Sequence, residues 1–472
     1  MADFKRSLNL LDAVMLVSGS MIGSGIFLVS SEMSRNLGSA GWLMLAWVVA
    51  GVLTILAALA YGELSAMMPN AGGQYVYIQR AFGKLPAFLY GWTVFMVIQT
   101  GVIAAVAMAF ANYSAELFPI LDPETPLLSI SWITISRPQA LAISSIFLLT
   151  AFNSMGVQHG KTLQTVFTSA KILALLALIG FGLFVGMGLP HLSENFSDAW
   201  SAFSVSSGNG SREIFPLSGW ALLSALGIAM VGSLFSSDAW NNVTFIAGEI
   251  RNPSRNLPLS LFFGTVIVTA LYLLANLAYL ALLPLTEIQE AVKDRVGTAA
   301  AEVIFGDPAR YLMAGLIMVS TFGCNNGIIL AGGRLFYAMA RDGLFFQKAA
   351  RLNGKGVPGF ALWVQCIWAS VLCLSGKYGD LLQYTTFASL LFYIVTISGL
   401  FVLRSKEPDT PRPYKAWGYP MLPAAYILFA SLFCINLLVT TPAYTGAGLA
   451  IVALGLPVYF LQKKGHSEAK TD

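Results

Sequence analysis

Charge is what this chain of 472 residues has least of. Asp, Glu, Lys and Arg together make 11% of it, against about 25% in soluble domains. It holds 3 His and 4 Cys. His159, His191 and His466 fall in separate loops and the tail, so no cluster suits general acid–base chemistry, and an enzyme is not expected. Cys324, Cys366, Cys373 and Cys434 all sit in apolar segments without a C-x-x-C pair. Such residues act as small hydrophobes, and neither a disulfide framework nor a metal site is expected, nor any cofactor. The formal net charge of +4 is spread over loops with no basic domain, which excludes a nucleic-acid partner. No stretch between apolar runs is long enough for a separate soluble domain.

What fills the chain instead is apolar: 56% of residues are hydrophobic, with a mean hydropathy of +0.70. Runs of about 18–28 residues, enough to cross a bilayer, recur at 9–35, 41–68, 85–113, 138–156, 161–188, 218–249, 257–284, 308–340, 357–376, 380–403, 418–440 and 444–462. Leu8 to Val17, behind Lys5 and Arg6, imitates a signal-peptide core, but apolar character resumes at Ile26, so it reads as a retained first helix. The expectation is an all-α integral membrane protein of twelve transmembrane helices, in contact with membrane lipid. With the N-terminus inside, 19 of the 27 Lys and Arg residues fall in inner loops and seven in outer ones. That bias predicts both termini in the cytoplasm, in a multi-pass protein of the cell inner (plasma) membrane. The outer loop segment TAAAEVIF (298–305) reads as a short helix, lying over an outer vestibule or on the surface.

Two runs are interrupted. In the first, Gly19, Gly23 and Gly25 alternate with Ser18, Ser20 and Ser24, and such residues are where a helix is weakest. In hydrocarbon every freed backbone group needs a partner, so a break survives only where it lines a protein cavity. A half-helix restarting near Gly25 would aim free N–H groups at an anion such as a carboxylate. In the sixth run Ser236, Ser237, Asp238, Asn241 and Asn242 interrupt apolar sequence. The two runs are five spans apart, hence cross in opposite directions, and paired breaks in inverted halves point to a mid-membrane binding site.

GSMIGSGIF in the first run, AGEIRNPSRNLP at 247–258, RLFYAMARDG at 334–343 and PRPYKAWGYP at 411–420 together resemble the amino acid–polyamine–organocation superfamily. The branch they are most similar to is the L-type amino acid transporters and their bacterial relatives. The resemblance implies the leucine-transporter-type fold. Its first inverted repeat would cover 1–190 and its second 210–405, followed by two helices in 406–462 and a cytoplasmic tail at 463–472. It implies sodium-independent secondary transport of small neutral L-amino acids by alternating access, as exchanger or proton symporter. Cationic amino acids, polyamines or a non-transporting sensor remain as alternatives.

Residue by residue, Ile22, Gly23, Ser24 and Gly25 match the family's carboxylate-binding segment, and Phe235 its aromatic gate. Ser236, Asn241 and Ser389 match pocket positions. Carbonyls near Ser18 to Met21 and around Phe235 to Asp238 are expected to accept from the α-ammonium. Asp238 stands with Ala239 where relatives tend to have Gly-Gly. Being acidic at mid-membrane, it marks function, and three roles stay open for it: meeting a substrate hydroxyl or cation, coupling to protons, or capping the resumed helix at Trp240. Lys171 matches a lysine that in sodium-independent relatives replaces a sodium ion between helices one, five and eight. Asn325 and Asn326 interrupt the apolar sequence of the eighth run and are expected to face the same cavity. Residues 114–137 lack the cysteine through which animal relatives join an ancillary glycoprotein, so no disulfide-linked subunit is expected.

Overall fold

The computed structural model describes residues 4–121, 126–130, 133–208, 211–374 and 378–468. Among them, nine helices are long and apolar enough to cross a membrane: Ala40–Met67, Lys84–Leu117, Val157–Gly186, Gly219–Ser236, Pro253–Leu282, Ala309–Arg341, Tyr384–Lys406, Met421–Thr440 and Pro442–Gln462. The remaining apolar runs fall on the broken segment starting at Leu10, on Arg137–Ser154 and on Gly359–Leu374. The chain is a mainly helical, multi-span membrane protein. It is not purely α. Two antiparallel hairpins, Pro126–Ile130 with Ile133–Ser136 and Phe203–Gly208 with Ser211–Pro216, occupy the loops after the third and fifth runs. The segment leading into the second is held at the start of helix Ala40–Met67: Ala199 O accepts from the Gly41 amide (3.0 Å) and the Ser39 hydroxyl (2.7 Å). The last helix also continues past 462 to Glu468, into the expected tail, and 469–472 lie outside the described residues.

Both predicted interruptions are present. The first helix, Leu10–Met21, starts at a reciprocal cap in which Asn9 and Asp12 exchange side-chain and backbone bonds of 2.9 and 2.8 Å. It ends where Ile22 turns extended (ψ 97°), and the chain resumes as Gly25–Phe27 and Val29–Leu37. The sixth run is helical over Gly219–Ser236, opens at Ser237, and resumes at Asn242. Inside that opening Ala239 holds φ +65°, a conformation that costs an L-residue about 1–2 kcal/mol and glycine nothing. The third run carries a wider turn at Val94–Ile98 that breaks the ordinary helical hydrogen-bond register beside the site. The eighth run stays helical throughout. Ala309–Arg341 is continuous through Asn325 and Asn326, because their amides find acceptors on neighbouring helices, Ile103 O at 3.1 Å for Asn325 and Gly160 O at 3.1 Å for Asn326.

Three of the four motifs turn out to be held by buried ion pairs. Arg334 and Glu249, 0% and 2% exposed, meet at 2.8 Å and join RLFYAMARDG to AGEIRNPSRNLP. Glu63, fully buried on helix Ala40–Met67, takes Arg404 at 2.6 Å, Arg412 at 3.2 Å and the Ala416 amide at 2.6 Å, which pins PRPYKAWGYP to the bundle. The segment Val296–Phe305 is the expected short helix, set against Phe27 of the restarted first helix.

Removing one partner of a buried pair leaves an uncompensated charge, at about 3–5 kcal/mol. Arg334→Leu alone is therefore expected to lower thermal stability sharply, and Arg334→Leu with Glu249→Leu to recover most of it, read by melting in detergent. Ala239→Gly is expected to stabilise the chain by about 1 kcal/mol in the same measurement.

Candidate functional site at the paired helix breaks

The first break strands backbone carbonyls, and side chains from other helices take nearly all of them. Lys171 of helix Val157–Gly186, fully buried, donates from Nζ to Gly19 O (2.5 Å), Ile22 O (2.6 Å) and Ser320 O (3.3 Å). Cys324 Sγ reaches Ser20 O at 3.0 Å. The Ser320 hydroxyl lies 3.2 Å from Ile22 O and 2.9 Å from Gly23 O. The Tyr272 hydroxyl lies 3.0 Å from both Met21 O and Ser236 O, so one phenol on helix Pro253–Leu282 ties the two breaks together. Ser18 O is taken by the Ile22 amide. Each carbonyl from Ser18 to Met21, expected to accept from the α-ammonium, thus already has one donor within the protein.

The amides are treated oppositely. Those of Gly23, Ser24, Gly25 and Ile26 have no acceptor among the described residues. Four N–H groups gathered on one short stretch, next to saturated carbonyls, make the break a donor-rich surface suited to an anion.

Gly25 sits directly on Ser236. A methyl at Gly25 would meet the Ser236 hydroxyl and its Cβ, the latter at 2.9 Å, so glycine here serves close approach of the two breaks. Ser236 turns its hydroxyl back to Gly232 O (2.8 Å). A cavity of about 340 Å³ lined by Gly25, Val29, Glu32, Phe235 and Asp294 reaches this point from the far end of the first run. The N-terminal strap is bonded to the end of the sixth run: the Ser7 and Leu8 amides donate to Glu249 O (2.9 and 3.0 Å), and the Arg251 amide to Leu8 O (2.8 Å).

Asp238, Asn241 and Ser389 come together elsewhere. They line a small cavity of about 20 Å³ with Gln74, Gln99, Asn242 and Tyr393. The Asp238 carboxylate accepts from the Tyr393 hydroxyl (2.5 Å) and, at 3.4 Å, from Ser389. Asn241 donates to Gln74 (2.9 Å). The expected set therefore divides in two: Gly25 and Phe235 share the larger cavity, Asp238, Asn241 and Ser389 the smaller one, and the Gly25–Ser236 contact links them. Tyr272, Ser320, Cys324 and Tyr393 were not anticipated. They lie on unbroken stretches of helix, and no local pattern marks a side chain that serves a backbone group on another element.

The family model described as amino acid permease matches residues 8–457. Among known proteins, the "Large neutral amino acids transporter small subunit 2" of Mus musculus is 31% identical over 471 residues, covering 97% of this chain and 81% of that protein. Its Homo sapiens counterpart is 31% identical over 464 residues, with 97% and 80% covered. The "b(0,+)-type amino acid transporter 1" of Mus musculus is 30% identical over 466 residues, with 97% and 88% covered. Two of these names describe a small subunit, one part of a larger transporter, and that overturns the expectation of a chain without an ancillary subunit. The expectation rested on one missing thiol at 114–137, and subunits associate by buried area and hydrogen bonds without a covalent link. With the family match and these relatives spanning nearly the whole sequence, the chain belongs to the amino acid permease family, whose members transport rather than catalyse.

Proposed function

We propose that this chain is a sodium-independent secondary transporter of L-amino acids, small neutral ones by preference. It works by alternating access, as exchanger or proton symporter, in the plasma membrane with both termini cytoplasmic. The observation that carries the reading is the asymmetry at the first break: acceptors filled, and the amides of Gly23 to Ile26 left free. The α-carboxylate binds there, at Ile22, Gly23, Ser24 and Gly25. Phe235, half-buried beside Gly25, is the gate on the far side, and Ser236 forms the floor against Gly25. Asp238, Asn241 and Ser389 form the polar end toward the substrate's side chain.

The reading of twelve spans in two inverted halves of five, with two further helices, rests on the meeting of the first and sixth runs at their breaks. Alternating access is supported by the cavity that reaches Gly25 and Phe235 at the paired breaks. Sodium independence is supported by Lys171, whose ammonium sits among three carbonyls and supplies the positive charge those dipoles call for. Small substrates are supported by the cavity beside Asp238, whose volume of about 20 Å³ holds about one water. The mouse relatives are named for large neutral amino acids or for b(0,+)-type transport. A cationic substrate is the second reading, favoured by the carboxylate of Asp238.

Uptake of labelled L-alanine into proteoliposomes, challenged with serine, alanine, leucine and lysine, tests the substrate class. Serine and alanine are expected to compete and leucine and lysine to fail; strong competition by lysine would move the assignment to cationic amino acids. Replacing sodium by choline is expected to leave uptake unchanged. Lys171→Ala strands carbonyls at about 1–3 kcal/mol each and is expected to cut uptake at least about tenfold. Gly25→Ala forces the breaks apart and is expected to cost about 100-fold, most of it regained when Ser236→Gly is added.

A further inference from the structure

The loop between helices Ala309–Arg341 and Gly359–Leu374 carries charge of one sign. From Gly343 to Pro358 it has Lys348, Arg351 and Lys355 and no Asp or Glu. All three basic residues are exposed, and none forms an ion pair among the described residues. Asp342, just ahead of the loop, already accepts from the Tyr75 hydroxyl (2.9 Å) and the Gln79 amide (2.8 Å).

The loop is fixed to the bundle. Leu344, Ala349 and Val357 are buried, and the Phe345 ring stacks on Phe336 at 5.3 Å. Asn353 donates to Ser154 O at the end of helix Arg137–Ser154 (2.9 Å) and accepts from the Lys355 and Val357 amides (2.9 and 3.2 Å). Lys348 on the tight helix Gln347–Ala350, and Arg351 just past it, stand one turn apart. A methyl on Gly156, just beyond Ser154, would lie 3.8 Å from His159 Nδ1 and 4.0 Å from Lys355 Cβ. The exposed imidazole of His159 and the stem of Lys355 therefore flank one glycine.

An apolar seam starts at this point. Helix Arg137–Ser154 runs antiparallel to Gly359–Leu374: Gln139 donates to Cys373 O (3.2 Å), and the Phe147 and Trp363 rings meet at 5.7 Å. Phe152 and Met155 on one side of the pair, and Phe360 and Ile367 on the other, are exposed. On spanning segments such side chains face hydrocarbon. An acidic protein segment would answer the charge but could not follow a seam that runs along two spans. A phospholipid answers both, because basic pockets beside spanning helices hold lipid headgroups.

We propose that this junction binds one anionic phospholipid, its phosphate between Lys355 and His159 and its acyl chains along the seam, with Lys348 and Arg351 adding attraction from the loop. Because Asn353 ties the loop to Ser154, and the adjacent Asn153 donates to Asn326 of helix Ala309–Arg341 (2.9 Å), the bound lipid braces three helices. The site is separate from the paired breaks and does not depend on the transport reading.

The test melts the purified full chain in detergent with added dioleoylphosphatidylglycerol, dioleoylphosphatidylcholine or sodium phosphate, and reads retained lipid by native mass spectrometry. The glycerol lipid is expected to raise the melting temperature and to stay bound as a single molecule, and the choline lipid and free phosphate to do neither. Lys355→Gln is expected to lower the affinity about fivefold, the effect of one basic residue near an anionic headgroup. Lys348→Gln with Arg351→Gln is expected to lower it further. Lys415→Gln, exposed on another loop, is expected to change nothing. Phe360→Ser keeps the charge and is expected to weaken retention by shortening the seam. Equal stabilisation by the choline lipid overturns the proposal, as does equal stabilisation by free phosphate or an equal loss in Lys415→Gln. Unchanged retention in Lys355→Gln or in Phe360→Ser overturns it as well.

Discussion

A helix broken inside an apolar bundle exposes carbonyls on one side of the break and amides on the other, and both sets need partners. In this chain the carbonyl set is met from within by the ammonium of Lys171, the hydroxyls of Tyr272 and Ser320 and the thiol of Cys324. Everything else in the site follows from that. With the carbonyls partnered, the break can exist without a ligand, and the free amides of Gly23 to Ile26 are the part that the proposed carboxylate would complete. Each unmet group of this kind costs about 1–3 kcal/mol in a soluble protein's interior, so a bound anion has a real share of stability to return.

The same interactions tie the site to the rest of the bundle. Lys171 links the first break to helix Val157–Gly186 and, through Ser320 O, to helix Ala309–Arg341. Tyr272 links the first break to the second. A change in either break is therefore felt by three helices of the bundle, while the strap from Ser7 to Leu8 is bonded to Glu249 and Arg251 and a cavity reaches Gly25 and Phe235.

Much of this was legible in the sequence. Long apolar runs gave the helices, because length and hydropathy are local properties. The Gly-Ser alternation from Ser18 to Gly25 and the polar run from Ser236 to Asn242 gave the two breaks. Lys171 was conspicuous as a lone cation in an apolar run. Asn325 and Asn326 leave their helix unbroken: a polar side chain in mid-helix leaves the backbone intact when it finds acceptors across the interface, as both do at Ile103 and Gly160. The strands at 126–130, 133–136, 203–208 and 211–216 lie in loops, and their pairing depends on main-chain contacts that no periodicity reports. Tyr272 and Tyr393 look like any buried aromatic until the carbonyls and the carboxylate they serve are in view.

The central claim is that the free amides at the first break hold the substrate's carboxylate. Competition between labelled L-alanine and either unlabelled L-alanine or L-alaninamide, at equal concentrations in proteoliposomes, addresses it without altering the protein. The amide keeps the ammonium and the side chain and loses only the negative charge. The account predicts that L-alanine abolishes the labelled uptake and that L-alaninamide leaves it nearly unchanged; equal inhibition by the two would show that the carboxylate is not what the break recognises.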